Sequence, residues 1–209
     1  MGRVTRFSAN LGFLWTDRPL ADAVRAAAAA GFDAVECHWP YDEDASAVQA
    51  ALAETGLSML GLNAPRGNVG TGDNGLAALV GRETEARASV DLALDYADAI
   101  DSGNIHVLSG FASGEAAEAC FVENLRYAAD AAAPRGRTIL IEPLNHHDAP
   151  GYFLNHTEMA RRIIEAVGAP NLKLMFDCYH IQILEGDLTR RIDANLDITG
   201  HIQFAGVPS

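Results

Sequence analysis

Thr138-Ile139-Leu140-Ile141-Glu142-Pro143-Leu144-Asn145 is a short apolar run that goes straight into an acid. An acid at the end of such a run is expensive to bury unless it is paired or holds a metal ion. The pattern recurs in Met175-Phe176-Asp177-Cys178-Tyr179-His180, and an amide takes the acid's place in His201-Ile202-Gln203-Phe204-Ala205. Further out, Arg6–Phe13, Asp33–His38, Leu57–Asn63, Asn104–Ser109, Thr138–Glu142, Leu172–Asp177 and His201–Ala205 read as seven strands. Between them Pro19–Ala30, Asp44–Thr55, Arg82–Ile100, Glu115–Ala133, Thr157–Val167 and Asp187–Asn195 read as helices. Asp17 stands near the start of the first, Gly31 and Gly56 close the first two, and Pro134 with Gly136 ends the fourth. A Gly- and Asn-rich loop spans Ala64–Gly75.

Strand–helix alternation at about 30 residues marks βαβ units around a parallel sheet. The sheet is either open and doubly wound or closed into a barrel. The glycine fingerprint of a dinucleotide fold is absent after the first strand, where Asn10-Leu11-Gly12-Phe13 stands. Asn10, Glu36, His38, Asn63, His106, Glu142, Asp177 and Gln203 fall in or at the ends of seven successive strands. In a barrel those ends converge on one mouth, where active sites of that architecture lie. The expectation is an α/β TIM (β/α)8 barrel, one domain over residues 1–209, represented through about its seventh strand.

Acidic residues (28) outnumber Lys plus Arg (15), for a formal charge of -13. That balance speaks against nucleic acid or an anionic membrane as partner, but it leaves room for a small anionic substrate or a homo-oligomer. Cys37, Cys120 and Cys178 form neither a disulfide framework nor a metal knuckle and read as buried thiols. With no apolar signal core at the N-terminus and no long apolar run, the expected location is cytoplasmic.

Glu142, Asp177 and Gln203 are 35 and 26 residues apart, about one βα unit each. Two carboxylates and an amide oxygen make a hard-oxygen set suited to Mg²⁺ or Mn²⁺. His180, three residues past Asp177, is placed to bond a substrate oxygen or support a ligand. Plainer readings stand beside these. Asp177 could cap a helix, and Glu142 could pair with Arg126 or Arg137. Glu36 and His106 are substrate contacts or structural polar residues. Arg66 is a carboxylate clamp or a surface arginine, and His146 and His147 lie in a loop where solvent exposure is the default. Ser8, Ser109 and Tyr152 have no nucleophile context.

These motifs, with Pro150-Gly151-Tyr152-Phe153-Leu154-Asn155, Glu185-Gly186-Asp187-Leu188, Phe7-Ser8-Ala9-Asn10-Leu11, Gly31-Phe32-Asp33-Ala34-Val35-Glu36, Pro40-Tyr41-Asp42 and Val122-Glu123-Asn124-Leu125-Arg126-Tyr127-Ala128, resemble the hydroxypyruvate isomerase family over essentially the whole chain. That family includes 2-oxo-tetronate isomerases and sits among xylose isomerase-like TIM barrels. The resemblance implies a metal-assisted isomerisation of hydroxypyruvate to tartronate semialdehyde, or of a related 2-oxo sugar acid. Glu142 would be metal ligand and acid/base, Asp177 and Gln203 further ligands, and His180 a holder of the substrate. The family carries a second catalytic glutamate on an eighth strand. This sequence stops at Ser209, so the expectation is that the biological protein continues for another βα unit or two. The alternatives are a ketose 3-epimerase, whose members commonly carry histidine where Gln203 stands, and a non-catalytic sugar-acid-binding barrel. A DNA-repair endonuclease would need a histidine-rich zinc site and a basic face.

Overall fold

Most of the apolar runs form strands shorter than their length suggests. In the computed structural model, which describes residues 5–206, β1 is Ser8–Asn10, β2 Ala34–Glu36, β3 Ser58–Met59, β4 Gly61–Asn63, β5 Asn104–His106, β6 Thr138–Ile141, β7 Leu172–Asp177 and β8 Thr199–Gln203. β3 and β4 are two halves of one expected strand, broken at Leu60. β3 pairs with β2 and β4 with β5, and across the break the Leu60 N–H still reaches the Val35 carbonyl at 2.7 Å. The result is a curved arc of seven strand positions in chain order, every strand pairing parallel. This is the α/β TIM-barrel order that the strand-end pattern called for.

The helices cover the outside of the arc. They are α1 Leu20–Ala29, α2 Ala45–Thr55, α3 Glu83–Ile100, α4 Glu115–Ala132, α5 Thr157–Val167, α6 Cys178–Leu184 and α7 Leu188–Asn195. α1 buries Leu20, Ala23, Val24 and Ala27, a spacing that lies along one helical stripe. α3 and α4 are lined by small residues such as Ala93, Ala97, Ala128 and Ala132, each fully buried. Alanine holds these faces close to the sheet with little side-chain entropy lost. Beneath them Ile105, Ile139, Ile141 and Leu174 form the sheet's share of the core. Side chains buried to that degree each contribute about 1.5–3 kcal/mol.

Asp17 stands near the start of α1, where Pro19 is the cap, and pairs with Arg18 at 3.1 Å. Two local details depart from the sequence reading. α6 starts on the residue after β7, where no helix was expected. Cys37 and Cys120 are buried, but Cys178 is only half-buried. No helix among the described residues is long and apolar enough to cross a membrane.

The loop after β4 is held by backbone. Gly75 and Gly110 have φ of +115° and +89°, and a Cβ on Gly110 would lie 2.3 Å from the Gly75 carbonyl oxygen. Only glycine fits both the left-handed angle and that approach. Ala77 and Ala78 then donate to the Leu108 and Ser109 carbonyls at 3.2 and 2.8 Å, fixing the loop beside the mouth.

Candidate active site

The strand ends converge as expected. A cleft of about 160 Å³ is lined by Asn63, His106, Glu142, Asp177, His180 and Gln203, among others. β6 delivers Glu142 immediately after Ile141, and β7 delivers Asp177 as its last residue. Donor atoms of Glu142, Asp177 and His180 all lie within 4.8 Å of one another. Two predicted ligands and the predicted substrate histidine are therefore brought together. Gln203, the third predicted ligand, lines the same cleft, but its Nε2 donates to Glu36 at 2.9 Å. Its amide oxygen accepts none of the described hydrogen bonds.

Glu142 has no arginine. Arg126 pairs with Glu123, and Arg137 is taken by Asp98 and Asp101, so the structural ion pair is not formed. Burial pushes the Glu142 carboxyl well above the usual range, and the charges of Asp177 and Glu36 push it further. Asp177 is raised as well, first by burial, against the pull of His180. Glu36, Glu142 and Asp177 meet no Lys or Arg within ion-pair distance among the described residues; their only charged-type partners are His201, His106 and His180. Concentrated carboxylate that repels its own ionisation is a set that a proton or a small hard cation stabilises.

His180 presents a donor rather than a lone pair to the cleft. Its Nδ1 accepts the Asn145 backbone N–H at 3.1 Å and faces the Asn145 Nδ2 at 2.8 Å. With that lone pair engaged, the ring proton sits on Nε2, 4.0 Å from Asp177 Oδ2. Burial lowers the His180 pKa, opposed by Asp177 and Asp148, so the ring stays neutral and Nε2 is a donor. Asn145 is fully buried. Its Nδ2 also donates to Asp148 at 2.8 Å, while its Oδ1 accepts from the His147 and Asp148 backbone. Asn145→Asp would put a carboxylate oxygen against Nδ1 in place of the side-chain donor, while the backbone N–H stays, and is expected to raise the share of rings protonated on Nδ1. Nitrogen-15 shifts of the His180 ring read this directly, and an unchanged tautomer would leave the role to the Asn145 backbone N–H alone.

His106 lies on the other side of Glu142. Its Nδ1 is 3.2 Å from Asn63 Oδ1 and 3.7 Å from Glu142 Oε2. Burial takes its pKa down to about 3, helped by the charges of His38 and His180. Its Nε2 is buried with no partner. A buried unsatisfied polar atom costs about 1–3 kcal/mol and is uncommon enough to need a reason.

Glu36 has the surroundings of a structural polar residue, the reading that stood beside a substrate contact. It is buried and accepts from both His201 Nε2 and Gln203 Nε2 at 2.9 Å, tying β2 to β8 across the mouth. Arg66 does not line the cleft. Its guanidinium stacks 3.8 Å over the Trp39 ring, which does line it, and its charge helps hold the His38 pKa down, after burial. His146 and His147 stack on each other in the exposed loop. Sequence reasoning passed over three residues. Asn145 was quoted but given no role, His38 had only its strand end, and His201 had one usable signal: it sits two residues before Gln203 and so faces the same way. His38 packs against Gly12, where a Cβ would lie 2.3 Å from its ring.

A family profile described as xylose isomerase-like TIM barrel matches residues 24–209. The chain is 45% identical over 207 residues to the 2-oxo-tetronate isomerase of Cupriavidus necator, covering 97% of this chain and 80% of that one. It is 40% identical over 208 residues to the hydroxypyruvate isomerase of Escherichia coli, with the same shares covered. The crystal structure of an AP endonuclease, family 2, from Brucella melitensis superposes with a TM-score of 0.94 at 43% identity, covering 98% of this chain and 81% of that one.

Proposed function

Since the chain belongs to the xylose isomerase-like TIM-barrel family, and its curated relatives at 36–45% identity are named isomerases, we propose that it is a metal-assisted isomerase of a small anionic 2-oxo sugar acid. Hydroxypyruvate and tartronate semialdehyde are the first pair to consider, and the 2-oxo-tetronates the next. The observation that carries this reading is the buried Glu142 beside Asp177 with no Lys or Arg partner among the described residues.

Glu142, Asp177 and the free amide oxygen of Gln203 would hold the ion, and the hard-oxygen set favours Mg²⁺ or Mn²⁺. When bound, such an ion polarises the substrate carbonyl and stabilises enediolate charge. The rest falls to the chain. Glu142 takes the proton from the hydroxyl-bearing carbon and returns it to the neighbouring carbon, while the hydroxyl proton passes to the former carbonyl oxygen, so that carbonyl and hydroxyl exchange places. Its burial raises its basicity, which is the direction a general base for such a transfer calls for. His180 donates from Nε2 to a substrate oxygen, in the tautomer that Asn145 sets. Glu36 orients Gln203 rather than meeting the substrate. Arg66 on Trp39 is the cation at the rim that suits the substrate carboxylate.

The name of the Brucella structure suggests DNA repair, but the charge of -13 is unsuited to a DNA backbone. The test follows hydroxypyruvate and both 2-oxo-tetronates by proton NMR, with Mg²⁺, with Mn²⁺ and after chelation. Turnover of at least one substrate that falls about tenfold or more on chelation is expected. No turnover of any of them, with exchange at C3 of a free ketohexose, would replace this reading with the 3-epimerase.

A further inference from the structure

The hydrogen bonds around the two histidines of the cleft favour opposite tautomers. The nearest neighbour of His106 Nδ1 is the Asn63 carboxamide oxygen, an acceptor, at 3.2 Å, with Glu142 Oε2 beyond it at 3.7 Å. The bond to Asn63 places the ring proton on Nδ1 and leaves Nε2 a lone pair, buried and without a partner among the described residues. His180 is the reverse, with Nδ1 occupied by the Asn145 donors and Nε2–H left over. One imidazole can only accept at its outer nitrogen and the other can only donate. Asn63 belongs to β4, Glu142 follows β6, and His106 ends β5 between them, so the arrangement is built into three adjacent strands.

An α-hydroxycarbonyl compound presents the matching pair on adjacent carbons, a hydroxyl donor beside a carbonyl acceptor. We propose that His106 is the specificity residue that reads the substrate hydroxyl: its Nε2 accepts the hydroxyl proton, and a molecule with hydrogen or methyl at that carbon leaves the lone pair unmet. A site with a buried polar group made for a hydroxyl discriminates against the analogue without it far more strongly than an apolar pocket does. The assignment rests on the proposed function for the identity of the ligand, but the hydroxyl preference is a binding property and can be read without turnover. The competing partner for the lone pair is a single water. A void of about 10 Å³, large enough for one, lies in the barrel interior and is also lined by His106.

The experiment measures dissociation constants of hydroxypyruvate and of pyruvate, its deoxy analogue, by calorimetry on the Mg²⁺-loaded protein. Turnover is recorded separately by NMR. The wild type is expected to favour hydroxypyruvate by about 10- to 100-fold. His106→Asn keeps a polar group near Nδ1 but has nothing at the Nε2 position; it should lose most of that preference, mainly through weaker hydroxypyruvate binding, with pyruvate changed about twofold or less. His106→Gln reaches the Nε2 position with its amide oxygen and should keep part of it. Equal binding of both ligands by the wild type overturns the proposal. So does an unchanged ratio in His106→Asn, which would give the lone pair to water. Preference without turnover would keep the hydroxyl reading and sink the isomerase. Turnover with an unchanged ratio would do the opposite.

Discussion

Glu142→Gln is expected to lower turnover by about 10³-fold while leaving the fold intact and the metal-free protein no less stable. The first part follows from asking one carboxylate to carry a proton between two carbons, a role worth about 10²–10⁴-fold, and to hold an ion as well. The second follows from what the fold spends on that carboxylate. Glu142 is 6% exposed, has no Lys or Arg partner among the described residues, and is pushed towards its neutral form by burial and by the charges of Asp177 and Glu36. Glutamine has the same shape, cannot ionise, and removes that conflict, since an uncompensated buried charge is the costly state. The pair of measurements is kcat by NMR and Tm without metal. A structural ion-pair role predicts the reverse pattern, lost stability and retained turnover. Activity within tenfold of wild type would end the catalytic assignment.

The barrel was legible because its signal is local. Each βα unit carries its own apolar run and its own amphipathic stretch, some closed by a glycine such as Gly56 or Gly136, so seven strand positions could be placed without knowing any partner. The site was legible for a related reason. Glu142 and Asp177 are acids where an apolar run ends, and strand ends of this architecture share one mouth. What escaped depends on contacts that cross the barrel. Glu36 and His201 lie 165 residues apart, and nothing near Glu36 shows that its Oε2 already accepts from two donors. Arg66 reads as a free cation until Trp39 is seen beneath it. The tautomers of His106 and His180 depend on Asn63 and Asn145, and an asparagine in a loop or at a strand end carries no such information by itself. α6 was missed because it begins without a connecting loop, on the residue after Asp177, and the strand pattern masks its start.

That same junction gives Asp177 two functions, and two substitutions separate them. Its Oδ1 accepts the Tyr179 N–H at 2.7 Å and caps α6, while its Oδ2 faces His180 and Glu142 across the cleft. The helix cap and the proposed ligand, which the sequence offered as alternatives, are therefore served by the two oxygens of one side chain. Asparagine caps a helix about as well as aspartate, so Asp177→Asn should shift Tm by no more than about 2 °C. It removes the charge, however, and changes the donor set. Loss of residues that merely support a metal ligand typically costs about 10- to 100-fold in affinity or activity, and a direct ligand should cost at least about 100-fold in both. Asp177→Ala loses the cap as well, and with it about 1 kcal/mol, or about 2–4 °C for a chain of this length. Mn²⁺ affinity from paramagnetic relaxation, turnover and Tm on the two variants resolve the roles. If Asp177→Asn bound Mn²⁺ and turned over substrate like the wild type while Asp177→Ala only melted earlier, Asp177 would be a helix cap and nothing more. The metal would then have to be held by Glu142 and Gln203 without it.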